Sequence, residues 1–264
     1  MLNKKELESV RKTSLEAAET AGKLLMRFFR KQLEVREKAR SSLVTQADVN
    51  SEAIIKKILQ KKFPSFSFLG EESGHEGSTA TDHPTWHVDP LDGTTNFVHG
   101  FPMFCVSIGL AIGNKPVVGV IHIPALGETF HGAHELGARW NRKPMRVSQR
   151  KKLSDCLLTT GFAYLQDASK LDPEIHRFRA AHLEARAVRR PGAAAIDLAY
   201  VASGVFDAFW ERNLSTWDVC AGALLVKEAG GKVTDYSGGP LELYGKEILA
   251  SNPHIHQNMI KILA

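Results

Sequence analysis

The chain has 264 residues, 43% hydrophobic and 24% charged, with a formal net charge of +5. That balance excludes a disordered or low-complexity chain and suffices for one large core or two fused sheets sharing one. The longest weakly polar run, FCVSIGLAIG from Phe104, is far shorter than the ~20 residues a membrane helix needs, and MLNKKELESVRK at the start has no apolar centre or cleavage-type site; a soluble, cytoplasmic protein with no membrane partner is expected.

In the first 30 or so residues Leu7, Val10, Ser14, Ala17, Ala18, Ala21, Leu24, Leu25 and Phe28 recur at helical spacing, which predicts a long amphipathic helix. Asp48 or Asn50 would cap a second helix with Ala53, Ile54, Ile58 and Leu59 on its inner face, ending before Pro64. The segments FSFLG, TWHVD, FCVSIGLAI, PVVGVIHI and ETFHGA are short and β-rich with turn residues between them, as in an antiparallel meander. In the last third, helical patterns over 193–203, 219–229 and 253–263 alternate with strands near VFDAFWE, GKVTDY and EILAS, as in a layered α/β unit. The chain reads as one unit over 1–264, with helices and an antiparallel sheet to 150 and an α/β half over 151–264. Cys105, Cys156 and Cys220 are odd in number and widely spaced, which points to buried thiols rather than disulfides or a thiolate metal site.

The chemistry concentrates in WHVDPLDGTTNF, Trp86 to Phe97, where Asp89 and Asp92 stand three apart before a glycine and two threonines. Strand geometry alone cannot bring i and i+3 together, so a turn at Pro90-Leu91 leading into a helix near Gly93 is expected to do so. Two adjacent carboxylates repel unless a hard divalent cation with oxygen ligands sits between them, and amides at a helix start beside it would hold a phosphate. Three other readings compete. Phosphatases with an aspartyl-phosphate intermediate place their two aspartates two apart; a calcium loop wants further oxygen ligands that Thr95 and Phe97 do not supply. A plain surface turn is also compatible with Asp, Pro, Gly and Thr. Two more acids lie at element boundaries: the glutamate pair of FLGEES, and Asp218, opening the helix of TWDVCAGALLVKEAGG at or near its cap.

Together GEES (70–73), DPLDGTTNF (89–97) and WDVCAGALLVKEAGG (217–231), with the intervening FPMFCVSIGLAIGNKPVVGVIHIPALGETFHGAHELGARWNRKPMRVS and VRRPGAAAIDLAYVASGVFDAFWE, resemble the inositol monophosphatase family over nearly the whole chain. The resemblance implies a five-layered αβαβα sandwich and a Mg²⁺-dependent, Li⁺-sensitive phosphomonoesterase, usually a homodimer. It also implies direct attack of water on inositol monophosphate or a related polyol or sugar phosphate, releasing free polyol and phosphate. Fructose-1,6-bisphosphatase or another small-molecule phosphatase of the superfamily is the alternative. Carried over by position, Glu71, Asp89 and the Leu91 carbonyl would hold one Mg²⁺ and Asp89, Asp92 and Asp218 a second, with a third, weaker ion leaning on Glu71. Glu71 and the Thr94 hydroxyl would orient the water, the Gly93 and Thr94 amides would hold the phosphate, and Glu211 with the backbone of Gly192 and Ala194 would meet the polyol. Asp48 matches a family aspartate near the metal rim, although a helix cap explains it equally well. One departure is Ala193, where the family often has Ser or Thr, which leaves polyols other than inositol open. GTTNF lacks the charged residue that nucleotide and sulfonucleotide phosphatases tend to carry after Gly-Thr, which favours the inositol branch.

A rival of another class is a regulatory protein that binds RNA or the transcription machinery. From Arg139 to Lys152 the chain carries seven Lys or Arg and no acid. A solvated hairpin is the favoured reading, because only Trp140 is available as a stacking aromatic. A positive field would in either case speed the approach of a phosphorylated substrate.

Overall fold

The computed structural model describes residues 2–31, 35–39, 42–162 and 167–264. Helix α1 (Lys4–Phe28) starts at an Asn3–Glu6 capping box, which satisfies donors that a helix start leaves free. A hairpin of β1 (Val35–Ala39) and β2 (Ser42–Thr45) follows, then α2 (Gln46–Lys62). Next come β3 (Ser67–Gly70), β4 (Gly74–Glu76), β5 (Pro84–Asp92), the short helix α3 (Thr94–Val98), β6 (Cys105–Ile112), β7 (Lys115–Ile123), β8 (Glu128–Ala133), β9 (Gly137–Trp140) and β10 (Lys143–Pro144). The second half holds β11 (Leu157–Thr160), α4 (Ala168–Glu184), β12 (Ala187–Arg189), α5 (Ala194–Ala202), β13 (Ala208–Arg212), α6 (Thr216–Glu228), β14 (Lys232–Thr234), β15 (Glu247–Ser251) and α7 (His256–Leu263).

These elements stack as αβαβα: α1 and α2, an eight-stranded sheet, α5 and α6, a five-stranded sheet, then α4 and α7. The sheet alternation explains the layers. Val118 and Val120 of β7 join Leu25, Ile55 and Trp86 under the first helices, while Ile121 and Ile123 turn to the opposite core with Leu198 and Leu225. In β13, Phe209 faces that central core and Trp210 the outer one with Met259 and Leu263. Small residues set the central contact: a Cβ on Gly119 would lie 2.5 Å from the Ala221 carbonyl oxygen, so α6 approaches the sheet backbone to backbone. All three cysteines are free and buried, as expected.

Several elements differ from the sequence reading. The eight-stranded sheet is a meander from β5 to β10, but β3 joins β5 in parallel. Helix α4 was not anticipated; it contains Pro173 and buries only Glu174 and Ala181, so it lacks an apolar stripe. Helix α6 begins at Thr216 rather than Val219, α7 at His256 rather than Pro253, and α2 is capped by Thr45 rather than Asp48 or Asn50. The buried face of α2 is also rotated from the expected one. Ala53 is exposed, and the inward residues are Ala47, Asp48, Ser51, Glu52, Ile55 and Leu59.

Candidate active site

The Asp89–Asp92 spacing is resolved by a β-bulge rather than by a turn. Asp89 lies opposite Ser107 and Asp92 opposite Cys105, so three residues of advance on β5 match two on β6. Ser107 and Cys105 share a face of β6, and the bulge therefore returns both aspartates to one face. The Asp89 carboxylate accepts the Leu91 N–H at 2.9 Å, which folds the bulged segment onto it. Immediately after, Gly93 takes φ +89°, and a Cβ there would lie 2.8 Å from the Met103 carbonyl oxygen. Glycine is thus required for the chain to enter α3.

The other acids arrive from separate elements. Glu71 follows β3, and its N–H donates to the Val88 carbonyl at 3.1 Å, beside Asp89. Asp218 is the third residue of α6, and its carboxylate accepts the Ser215 N–H at 2.7 Å in a capping box. Asp92 accepts the Ala195 N–H at 2.8 Å. Ala193, the N-cap of α5, has no polar side chain to cap the helix, and Asp92 fills that role from across the layer. Thr94 Oγ stands 3.2 Å from the Asp48 carboxylate and 3.1 Å from the Leu91 carbonyl, and its single proton serves one at a time.

Electrostatics couples the members of the group. Burial pushes the Asp89 carboxyl well above the usual carboxylate range, and Glu71, Asp92 and Asp218 push the same way. Burial raises Asp92 to about 7 despite the Ala195 N–H, with Glu71 adding to the rise. Asp218 is raised well above its ordinary value by burial, then by Asp92 and Glu71, against the Ser215 N–H. Among the described residues no three His, Cys, Asp or Glu side chains stand together as a ready metal shell. What the site offers is a set of mutually repelling carboxylates and one carbonyl, all oxygen donors, which fits a hard divalent cation. Cys105 stands 3.8 Å from Asp92, and burial pushes its thiol well above the ordinary value.

Glu211, on β13, is 7% exposed, and burial followed by Asp218 and Asp92 raises its pKa well above the ordinary value, while Arg190 opposes. Gly161 lies so close to its carboxylate that a Cβ there would overlap it. Arg212 pairs instead with Glu174 and Glu247, so the adjacent arginine does not neutralise Glu211. Gly192 takes φ +87° and is tied to α3 through Asn96, whose amide donates to the carbonyls of Met103 and Pro191 at 2.6 and 2.9 Å. The backbone amide of Ala194 is drawn to Asp92.

Three inward residues were not singled out from sequence. Ser51 and Glu52 of α2 reach the site loops. Asp197 of α5 is 1% exposed, takes the Thr159 hydroxyl at 2.8 Å and is raised well above the usual range by burial and by Glu211 and Asp92. A lone acid within the apolar AAIDLAYVA was its only sequence signal.

In the basic 139–152 segment Trp140 stacks on Phe130 with ring centroids 5.4 Å apart, and Arg150 pairs with buried Asp207. Its one aromatic is therefore engaged in packing, which leaves no stacking platform there.

The model of the inositol monophosphatase family matches residues 6–264. An inositol-1-monophosphatase of Synechocystis sp. is 43% identical over 98% of this chain and 90% of its own. Among solved structures, the extragenic suppressor protein suhB of Bartonella henselae superposes with a TM-score of 0.91 at 42% identity, covering 97% of this chain and 98% of that one. An inositol monophosphatase from Anabaena gives a TM-score of 0.88 at 44% identity over 97% and 96% of the two chains.

Proposed function

The chain belongs to the inositol monophosphatase family, metal-dependent phosphoric monoester hydrolases, and from that premise we propose that it hydrolyses inositol monophosphate or a related polyol or sugar monophosphate with Mg²⁺. The observation that carries this reading is the bulge in β5 that returns Asp89 and Asp92 to one face, with Asp218 near enough to raise Asp89 and with Glu71 raising all three. Glu71, Asp89 and the Leu91 carbonyl would hold one ion, Asp89, Asp92 and Asp218 a second, and Glu71 a third. Cations held there would supply a lowered pKa for water and neutralise charge on the ester.

The chain's own groups do the rest. The Gly93 and Thr94 amides at the start of α3 face the ester phosphate. Thr94 Oγ orients the attacking water together with Glu71, and its proton passes toward Asp48, which already accepts from it. Glu211 accepts a hydroxyl of the polyol, and the backbone of Gly192 and Ala194 lines the same side. Ala193 supplies no hydroxyl, so recognition falls to Glu211 and the backbone and admits polyols besides inositol. Inhibition by Li⁺ and assembly as a homodimer belong to the same reading. No helix among the described residues is long and apolar enough to cross a membrane.

The test is phosphate release from inositol, fructose-bisphosphate, nucleotide and histidinol phosphates with and without Mg²⁺. Fastest release from inositol phosphate supports the reading. Preference for fructose bisphosphate selects the bisphosphatase alternative, and no Mg²⁺-dependent release from any of them refutes it.

A further inference from the structure

The buried face of α2 carries Asp48, Ser51, Glu52, Ile55 and Leu59, the i, i+3, i+4 spacing of one helical stripe. The last two are apolar and pack in the core, but the first three are polar, and each reaches a different segment of the site. Asp48 meets Thr94. The Ser51 hydroxyl donates to the Pro90 carbonyl at 2.9 Å, between the two aspartates of the bulge. Glu52, 4% exposed, accepts the Glu72 N–H on Oε2 and the Ser73 N–H on Oε1, both at 2.9 Å.

We propose that Glu52 is a positioning residue that holds Glu71 in place for the cation, an inference that rests on Glu71 being a metal ligand. Gly70 pairs with Gly74 across the β3–β4 hairpin, so Glu71, Glu72 and Ser73 form its three-residue loop. The amides of such a loop are ordinarily left to water, and a loop held only by its ends is mobile. Here two consecutive amides close a bidentate grip on one carboxylate, while the N–H of Glu71 is held by Val88. The backbone of Glu71 is therefore fixed on both sides, on one by the strand that carries Asp89 and on the other by α2. A Cβ on Gly70 would overlap the Glu52 carboxylate, so glycine at 70 is what lets that carboxylate pass beneath the loop. Partners of this kind set ligand orientation, and losing one costs metal sites roughly 10- to 100-fold in affinity or activity.

Glu52→Gln keeps the volume but presents one acceptor and one donor, so one of the two loop amides loses its partner. With the full chain, three quantities are measured: Mg²⁺ binding by calorimetry without substrate, the substrate KM at saturating Mg²⁺, and hydrogen exchange of the Glu72 and Ser73 amides. The expected result is a Mg²⁺ Kd raised roughly 10- to 100-fold, an unchanged KM, and faster exchange at 72–73 with an unchanged Tm. Gly70→Ala, which displaces the same carboxylate, shifts the Mg²⁺ Kd in the same direction. If Glu71→Gln weakens Mg²⁺ binding while Glu52→Gln does not, or if the Glu52→Gln loss merely follows a fall in Tm that Gly70→Ala does not reproduce, the positioning role is overturned. If Glu71→Gln itself leaves Mg²⁺ binding intact, the metal-ligand reading fails and takes the positioning role with it.

Discussion

The hydroxyl of Thr94 lies 3.2 Å from one oxygen of Asp48, whose other oxygen accepts the N–H and hydroxyl of Thr45 at the start of α2. One carboxylate thus closes a capping box and reaches into the site, so a helix-cap role and a site role for Asp48 do not compete. Thr94→Ala keeps the backbone amide and removes the hydroxyl. Its kcat should fall about 10²-fold or more, the usual range for a positioned acid–base group, with KM little changed. Asp48→Asn should lower kcat in the same direction, because the amide is a weaker acceptor for the Thr94 hydroxyl. Steady-state rates of both variants check this; an unchanged kcat in Thr94→Ala removes the hydroxyl from the mechanism.

The role proposed for Glu211 allows recognition to be tested apart from chemistry. After burial, the charges that raise its pKa most belong to Asp218 and Asp92, with a smaller push from Glu174, so cations on the first two acids would relieve most of the repulsion and favour an ionised acceptor. Glu211→Gln keeps the shape and gives up a charge-assisted bond of about 1.5–3 kcal/mol, or roughly 10- to 150-fold in kcat/KM on a polyol phosphate. An aryl phosphate, which has no such hydroxyl, should keep most of its rate. Side-by-side kinetics decide the matter: parallel losses place Glu211 in the scaffold or metal site, and no loss on either substrate removes it from recognition.

The acid cluster also sets a pH dependence. Asp89, Asp92 and Asp218 have folded-state pKa values above their unfolded ones, so between the ordinary carboxylate range and the raised values the folded chain binds more protons. Their contribution to stability is present below the unfolded pKa and is lost as pH rises through the folded values, about 7 for Asp92. Mg²⁺ held by those acids would compete with the protons, so the rise in Tm on adding Mg²⁺ should grow as pH increases through about 7. Calorimetric melts with Mg²⁺ or EDTA across this range check it. A Mg²⁺ effect independent of pH would mean that the ion binds elsewhere.

The layered fold and the acid motif were legible because their signals are local. Thr85 to Asp89 reads as a strand from its apolar and aromatic run, and Leu7 to Phe28 as a helix stripe from spacing. What escaped depends on partners distant in sequence. The bulge that aligns Asp89 with Asp92 exists only against β6. The inner face of α2 was misplaced because Ile54 and Ile58 are the apolar residues to follow, whereas Ser51 and Glu52 face inward to backbone groups near residues 72 and 90. A glutamate four residues before a lysine in a helix otherwise reads as solvated. Helix α4 escaped for a related reason, since Glu174 is buried by its pairing with Arg177 and Arg212 rather than by apolar character.

Asp89 carries the central claim, because it is 3% exposed, is raised by all three neighbouring acids, and would ligate two cations at once. The most direct measurement is phosphate release from inositol phosphate by the wild type and by Asp89→Asn, titrated with Mg²⁺ and then quenched with EDTA, with circular dichroism confirming the fold of each. Rapid release by the wild type only with Mg²⁺, abolished in a folded Asp89→Asn protein at every Mg²⁺ concentration, is the predicted result. Near wild-type release by Asp89→Asn, or release that persists in EDTA, would contradict it.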